Sequence, residues 1–270
     1  MPIDRRTLIL SGALAAGASE AIAQSSAPPH RARRRRAIVL VHDSWHGGWC
    51  WRHVAQRLRT AGHQVYTPTL TGLGERAHLR SPAIALSTHI ADVLGVLDCE
   101  ELEDVVVVGH GYAGIVLAGV ADRRADKLSH IVFIDGIIPK AGASMWDILP
   151  AELSDRQSRD LIDGYLVRPP QPSVLGVAES DVPETQWLGR RLTPHPAACF
   201  TERLVVKNGG ISTLPRIYLD CTKQSIYGPQ NPFAQVARNE PGWTVQTIDS
   251  GHDAMLTAPD ALSHAILEIA

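Results

Sequence analysis

Short continuous apolar runs alternate along this chain with segments whose apolar residues recur every three or four positions. Such runs are typical of strands buried on both faces of a parallel sheet. They predict strands at residues 37–41, 64–66, 104–108, 130–134, 217–219 and 244–248. Helical spacing predicts helices over 52–60 and 232–238, and others that begin near Ser87, Ile115 and Pro259. This alternation predicts an α/β fold, with a right-handed, mostly parallel sheet and helices on both faces.

The alternation is interrupted between about residues 139 and 210, where prolines separate short helical pieces. Several large apolar residues of this segment need burial, among them Trp146, Leu149, Leu161, Trp187 and Leu188. We therefore predict a helical cap inserted over the sheet rather than a linker. The 270 residues and the 44% hydrophobic content suffice for one large core, so we predict a single domain over 37–270.

The N-terminal residues have the pattern of an export signal. Arg5 and Arg6 resemble a twin-arginine motif, and they precede a short apolar stretch at 8–18 and an A-x-A site at 21–23. We predict a twin-arginine signal peptide at 1–23, a basic linker at 24–36 and export, to the periplasm in a bacterium. The apolar stretch is too short to span a bilayer, and no membrane span is predicted elsewhere.

Net charge and cysteine spacing limit the partners. A net charge of −2 gives no electrostatic case for nucleic acid, and the five arginines at 31–36 are interpreted as a solvated arm that could also touch an anionic surface. Cys50, Cys99, Cys199 and Cys221 form no C-x-x-C pair, so no metal is expected and any disulfide pairing stays open. We expect a small-molecule substrate and no cofactor; a homodimer stays open.

A tight turn between a predicted strand and a predicted helix lies at Gly109-His110-Gly111-Tyr112-Ala113-Gly114. It has the glycine spacing of a nucleophile elbow, in which the central residue carries the attacking atom. The central residue here is Gly111, which has no side chain. The sequence therefore predicts the scaffold of an acyl-transfer enzyme without its nucleophile.

With this turn and several other stretches, the chain resembles the α/β-hydrolase superfamily. Within it the resemblance is to the small esterase group of plant methylesterases, hydroxynitrile lyases and their bacterial relatives. The matching stretches are 42–51, 69–76, 88–93, 109–114, 134–139 and 251–255. The resemblance implies the α/β-hydrolase fold and places the nucleophile at position 111.

The resemblance also implies roles for residues in the other loops. It places a general base at His252 and oxyanion-hole amides at Ser44 and Tyr112. The triad carboxylate is best matched by Gln224, so two of the three triad positions depart from the family pattern. Covalent serine-esterase chemistry is therefore not expected, because loss of the nucleophile reduces turnover about a million-fold in a serine hydrolase.

Asp43 is a third departure, because the esterase group has glycine there and hydroxynitrile lyases have a hydroxyl residue. We expect its carboxylate to project toward the space above Gly111 and toward His252, where it pairs with a protonated imidazole or holds a water. The alternative is that Asp43 faces solvent or bonds local backbone amides. Asp135, at the end of the strand after the elbow helix, is a second candidate partner of His252; the alternative is a structural aspartate.

The sequence favours a cofactor-free enzyme in which His252 and Asp43 perform acid–base chemistry on a small carbonyl-containing molecule or on a water near Gly111. Lyase, decarboxylase and water-mediated hydrolase reactions fit this chemistry, as the resemblance implies. The alternatives are a non-catalytic small-molecule binder and an esterase whose nucleophile was removed. His110 is interpreted as a packing residue.

Overall fold

The structure, a computed structural model, describes residues 35–223, 226–228 and 230–270. The predicted signal peptide, the linker up to residue 34 and Gln224 lie outside the described residues. Within the described part of the chain, none of the helices has both the length and the apolar character required to cross a bilayer.

Strands and helices alternate through the described residues. The strands are β1 (Ala37–Val41), β2 (Gln64–Tyr66), β3 (Val105–His110), β4 (Leu128–Ile134), β5 (Leu166–Val167), β6 (His195–Pro196), β7 (Arg216–Cys221) and β8 (Trp243–Ile248). The helices are α1 (Arg52–Thr60), α2 (Leu86–Cys99), α3 (Ala113–Arg124), α4 (Met145–Ile148), α5 (Ala151–Arg159), α6 (Val182–Gly189), α7 (Ala198–Thr201), α8 (Pro232–Asn239), α9 (Ala254–Thr257) and α10 (Pro259–Ile269).

Six of the strands form one parallel sheet, in the order β2-β1-β3-β4-β7-β8. Every residue of β1 and β3 is buried, as continuous apolar runs predict. Alternate residues of β1 face opposite cores: Ile38 and Leu40 pack in the same apolar cluster as α1 and α10, and Val39 and Val41 in the cluster of α2 and α3. The predicted fold, a parallel sheet with helices on both faces, is confirmed.

We refer to residues 139–210 as the cap. This segment follows β4 and precedes β7, and it contains α4 to α7. It also contains β5 and β6, which pair antiparallel as a small second sheet that the helical prediction did not include. Leu175, Val177 and Leu188 form a separate apolar cluster inside the cap.

The parallel arrangement brings the predicted site residues to one edge of the sheet. Asp43 follows β1, Gly111 follows β3, Asp135 follows β4 and His252 lies in the loop after β8. Because all these strands run in the same direction, their carboxyl ends meet at this edge, where ligands bind in open α/β sheets.

Candidate active site

The turn after β3 has the backbone of a nucleophile elbow. Gly111 has a φ of 54°, in the left-handed region. Its amide donates to the carbonyl of Ile134 and its carbonyl accepts from the amide of Ile137, so β4 and the loop that follows it hold the turn from both sides. A Cβ on Gly114 would lie 2.2 Å from the carbonyl oxygen of Ile137, so only glycine permits this approach of helix and loop.

The carboxylate of Asp43 fills the space above Gly111. A Cβ built on Gly111 would lie 2.1 Å from Cγ and 2.1 Å from Oδ1 of Asp43, closer than real atoms approach. The side chain projects toward this space, as the sequence predicts, and Asp43 is only 3% exposed.

His252 lies between two carboxylates. Its Nδ1 donates to Oδ2 of Asp135 at 2.5 Å, and its Nε2 donates to Oδ2 of Asp43 at 3.1 Å. Burial alone would lower the pKa of His252, but the hydrogen bonds and charges of Asp135 and Asp43 outweigh it and raise the pKa to about 10. His252 is therefore an imidazolium at neutral pH.

Asp43 is held in its ionised form by the groups around it. Burial would raise the pKa of Asp43, but the hydrogen bond from His252 and the charges of nearby histidines lower it well below its usual range. The backbone amide of Tyr112 donates to Oδ1 of Asp43 in a short hydrogen bond. Each carboxylate oxygen thus accepts from a separate donor.

Tyr112 and Ser44, the predicted oxyanion-hole residues, have unequal surroundings. The amide of Tyr112 is engaged by Asp43, so this donor already stabilises a negative charge that belongs to the protein. Ser44 directly follows Asp43, and its buried Oγ has no hydrogen-bond partner among the described residues. A substrate oxyanion would share the Tyr112 amide with Asp43 or displace it.

Asp135 is positioned by a network that the sequence did not reveal. Its backbone is in the left-handed region, with φ at 39°, and its amide donates to the carbonyl of Leu219. Asn231 Nδ2 donates to Oδ1 of Asp135 at 2.5 Å and to the hydroxyl of Tyr218 at 3.1 Å. Asn231 Oδ1 accepts from the amide of Phe233 and caps α8, so the helix start fixes the amide that holds Asp135. An asparagine before Pro232 was the available signal, because it marks a helix N-cap.

A second buried ion pair lies beside the first. His46 Nε2 donates to Oδ2 of Asp253 at 3.1 Å, and His46 Nδ1 donates to the carbonyl of Ser44 at 2.8 Å. Burial lowers the pKa of His46, but the charge of Asp253 and its hydrogen bond raise it above the usual value overall. The ring of His46 therefore connects Ser44, the residue after Asp43, to Asp253, the residue after His252.

Two other buried histidines are neutral packing groups. His110 Nε2 donates to the backbone carbonyl of His252 at 2.9 Å, and burial together with the charge of His252 lowers the pKa of His110 to about 3. His42 Nε2 accepts from the amide of Leu70 and Nδ1 donates to the carbonyl of Asp43. Burial lowers the pKa of His42 to about 3. Both rings shape the loops around the site without carrying charge.

The comparisons with known proteins agree with this architecture. The Alpha/beta hydrolase family matches residues 38–265 of the chain. The chain belongs to the alpha/beta hydrolase family. It is 39% identical over 239 residues to the carbendazim hydrolyzing esterase of Nocardioides sp. (strain SG-4G), a match that covers 85% of this alpha/beta hydrolase and 97% of that protein.

More distant relatives of this alpha/beta hydrolase are methylesterases. Methylesterase 3 of Arabidopsis thaliana is 24% identical over 263 residues, which cover 88% of this chain and 97% of the relative. A solved extracellular alpha/beta-hydrolase from a Paenibacillus species, described as structurally and functionally homologous to tobacco salicylic acid binding protein 2, superposes with a TM-score of 0.77. It is 25% identical, and the match covers 86% of this chain and 98% of that one. The resemblance to methylesterases and bacterial esterases is confirmed.

Among the residues that the structure describes, two groups of side chains place possible metal ligands within 4.8 Å of one another: Asp43, His110 and His252, and His89, His195 and Cys199. In the first group both ring nitrogens of His252 already donate protons to carboxylates. In the second group, Nδ1 of His195 accepts from the amide of Trp45, which leaves the proton on Nε2. A metal ion would have to displace these protons, so the donor sets as hydrogen-bonded fit protons better than a cation.

Proposed function

We propose that this alpha/beta hydrolase is a cofactor-independent enzyme that acts on a small carbonyl compound through acid–base chemistry between Asp43 and His252. The observation that carries the proposal is the 3.1 Å contact between Oδ2 of Asp43 and Nε2 of His252, formed directly above Gly111. An ionised carboxylate beside a protonated imidazole can accept one proton and donate another at neutral pH.

The two roles are assigned by charge. With a pKa raised to about 10, His252 carries both ring protons in the resting enzyme and acts as the acid. Asp43, ionised and in contact with that acid, is the base. Asp135 holds Nδ1 of His252 and stabilises its positive charge. This differs from a serine hydrolase, where the histidine starts neutral and removes a proton from the nucleophile.

Hydrolysis of a small ester by water is the first candidate reaction. It is supported by the relatives, one named as a carbendazim hydrolyzing esterase and others as methylesterases. Asp43 takes a proton from a water molecule while the oxygen of that water bonds to the ester carbonyl carbon. His252 then gives the proton on Nε2 to the departing alkoxide. The proton on Asp43 then passes to His252, which restores the starting charges and yields one acid and one alcohol.

Cleavage of a carbon–carbon bond next to a carbonyl is the second candidate, in a lyase or a decarboxylase. The protonated state of His252 favours it, because an enolate formed by bond cleavage needs a proton donor and not a nucleophile. In a lyase Asp43 removes the proton of the substrate hydroxyl as the carbon–carbon bond breaks, and His252 protonates the departing carbanion. In a decarboxylase the bond breaks to release CO2, His252 protonates the enolate carbon and regains a proton from water, and Asp43 orients His252. These reactions differ in the substrate that the enzyme accepts.

The test compares wild type with Asp43→Asn and His252→Gln on p-nitrophenyl acetate, small methyl esters, carbendazim and short 3-oxo acids. We expect each variant to lower kcat on the accepted substrate by about a hundredfold or more. His264→Gln is the matched control, because His264 is an exposed histidine of α10 that pairs only with Glu268 among the described residues. Its kcat should equal that of wild type.

Two results decide against the proposal. Full turnover by Asp43→Asn would remove the acid–base pair as the catalytic group. Absence of turnover by wild type on every substrate, together with binding of the same compounds, would support the alternative of a non-catalytic binder. Mass spectrometry of the quenched reaction should also show no acyl group on the protein, because Gly111 offers no atom to carry one.

A further inference from the structure

Two cavities are lined largely by residues of the cap. One has a volume of about 360 Å³ and the other about 210 Å³. They share three lining residues: Leu153 and Arg156 of α5, and Ile226 of the loop after β7. These three side chains therefore stand at the junction of the two cavities.

Each cavity is lined by a residue that lies close to the catalytic pair in the sequence or in space. Trp45 lines the larger cavity and lies two residues beyond Asp43; its φ of 65° is strained for a residue with a side chain, and its indole N–H donates to the carbonyl of Val167. Tyr227 lines the smaller cavity, and its ring stands perpendicular to that of His252 with centroids 5.7 Å apart. Neither cavity is lined by Asp43 or His252 themselves, but Tyr227 joins the smaller cavity to the ring of His252.

The charges on the cavity walls are unequally paired. In the larger cavity Arg168 lies 3.6 Å from Asp160, so these two charges offset each other. Arg156 has no ion-pair partner in the described ranges of the chain. Glu152, one helical turn before Arg156, lines the smaller cavity without forming an ion pair with it. Arg156 is an exposed residue of α5, at the junction of one mainly apolar cavity and one of mixed polarity. A guanidinium without an ion-pair partner among the described residues is suited to a carboxylate, which it binds through two parallel hydrogen bonds.

We propose that Arg156 binds an anionic group of the substrate, so that the preferred substrates are small carbonyl compounds with an apolar middle and a carboxylate at the far end. The inference rests on the proposed function for the position of the reacting carbonyl near Asp43 and His252. The carboxylate subsite itself depends only on Arg156 and the two cavities.

Turnover tests the proposal with a pair of substrates that differ by one charge. Monomethyl adipate and dimethyl adipate have the same chain, but only the first has a free carboxylate. Arg156→Gln should raise KM for the monoester by about tenfold or more and leave KM for the diester unchanged. Arg159→Gln is the matched control, because Arg159 lies on the same helix, pairs with Asp155 at 3.3 Å and lines neither cavity.

Binding tests the subsite without any reaction. Calorimetric titration with phenylacetate should give an affinity for wild type and Arg159→Gln that is about tenfold higher than for Arg156→Gln, and benzyl alcohol should not distinguish them. Asp43→Asn should bind phenylacetate as wild type does. If phenylacetate binding depends on Arg156 while no ester is turned over, the subsite stands and the proposed reaction fails.

Three results would overturn the proposed carboxylate subsite at Arg156. Wild type that does not bind phenylacetate, or Arg156→Gln that binds it unchanged, overturns the carboxylate subsite whatever the turnover assays show. An equal rise in KM for the monoester and the diester also overturns it, because a general disturbance of the cap would affect both substrates alike.

Discussion

The carboxylate of Asp43 stands where a side chain on Gly111 would have to stand. The two residues come from loops after different strands, and a Cβ on Gly111 would lie 2.1 Å from the Asp43 carboxyl carbon. The carboxylate of Asp43 contacts Nε2 of His252, as the hydroxyl of a serine at the elbow does in serine hydrolases. The centre of the site therefore keeps a polar group opposite the imidazole, and this group is a carboxylate.

Restoring the nucleophile alone should fail. Gly111→Ser places a side chain inside the Asp43 carboxylate, and we expect a loss of about 1–3 kcal/mol in the free energy of unfolding, as for overpacked cores. No burst of p-nitrophenol should follow mixing with p-nitrophenyl acetate. The measurements are chemical denaturation and rapid-mixing absorbance.

Combining Gly111→Ser with Asp43→Gly should repair both defects. The glycine at position 43 vacates the space, and the hydroxyl introduced at position 111 then faces His252, which is still oriented by Asp135. We expect stability close to wild type and a burst that approaches one p-nitrophenol per protein. A burst from Gly111→Ser alone would show that Asp43 moves aside readily, contrary to the steric argument.

The pH dependence of activity should differ from that of a serine esterase. The pKa of His252 is raised from 6.5 to about 10, so its protonated form persists through neutral pH. We expect kcat/KM to show no inflection near 6.5 and to fall only on the alkaline side, as pH rises toward 10. A profile that rises through the ordinary pKa of histidine would mean that neutral His252 is the active form.

The same shift predicts how stability varies with pH. A folded-state pKa above the unfolded value means that folding binds a proton, so His252 contributes its full stabilisation below 6.5 and loses it as pH rises through about 10. Asp43, whose pKa is lowered on folding, stabilises the folded state at pH values above the ordinary pKa of an aspartate. This stabilisation is lost as the pH falls into the acid range. Denaturation midpoints should therefore decline at both extremes, and His252→Gln should flatten the alkaline decline.

Asp135→Asn should be among the most damaging single changes. It leaves the imidazolium of His252 with one carboxylate instead of two, so the pKa of His252 falls and the buried charge is less well compensated. We expect a loss of about 3 kcal/mol in the free energy of unfolding, as when one partner of a buried pair is removed. Denaturation gives the stability, and NMR titration of His252 gives the pKa.

Asp253→Asn tests the second ion pair. His46 then loses the carboxylate that accepts from its Nε2, and the link between the Asp43 loop and the His252 loop weakens. We expect about 3 kcal/mol lower stability and a lower kcat, although neither residue lies between base and acid. Unchanged kcat in a destabilised variant would restrict this pair to a structural role.

Much of the fold was predictable because a strand that is buried on both faces of the sheet is a continuous run of apolar residues in the sequence. The apolar runs at 37–41 and 64–66 are the observed β1 and β2, and α1 has the predicted bounds. The predicted elbow strand ended at 108, but β3 continues to His110, because Gly109 and His110 still pair with β4. The two short strands of the cap were missed because two-residue pairings have no periodicity to detect.

The site was predictable where single residues depart from the family pattern. Gly111 and Asp43 are visible as departures in the sequence, and so their proximity could be anticipated. Asn231 and the pairing of His46 with Asp253 could not, because these contacts join loops far apart in the chain and depend on the register of the strands. The directions of the pKa shifts of His252 and Asp43 could not be predicted from the sequence either, because they depend on burial and on distances between side chains.

The crowding at the elbow couples two positions that are far apart in the chain. A Cβ at position 111 would lie 2.1 Å from the carboxyl carbon of Asp43, so a side chain at 111 and an acid at 43 exclude each other in this packing. Each position therefore limits which residues the other can accept, and related sequences with serine at 111 should have a small residue at 43.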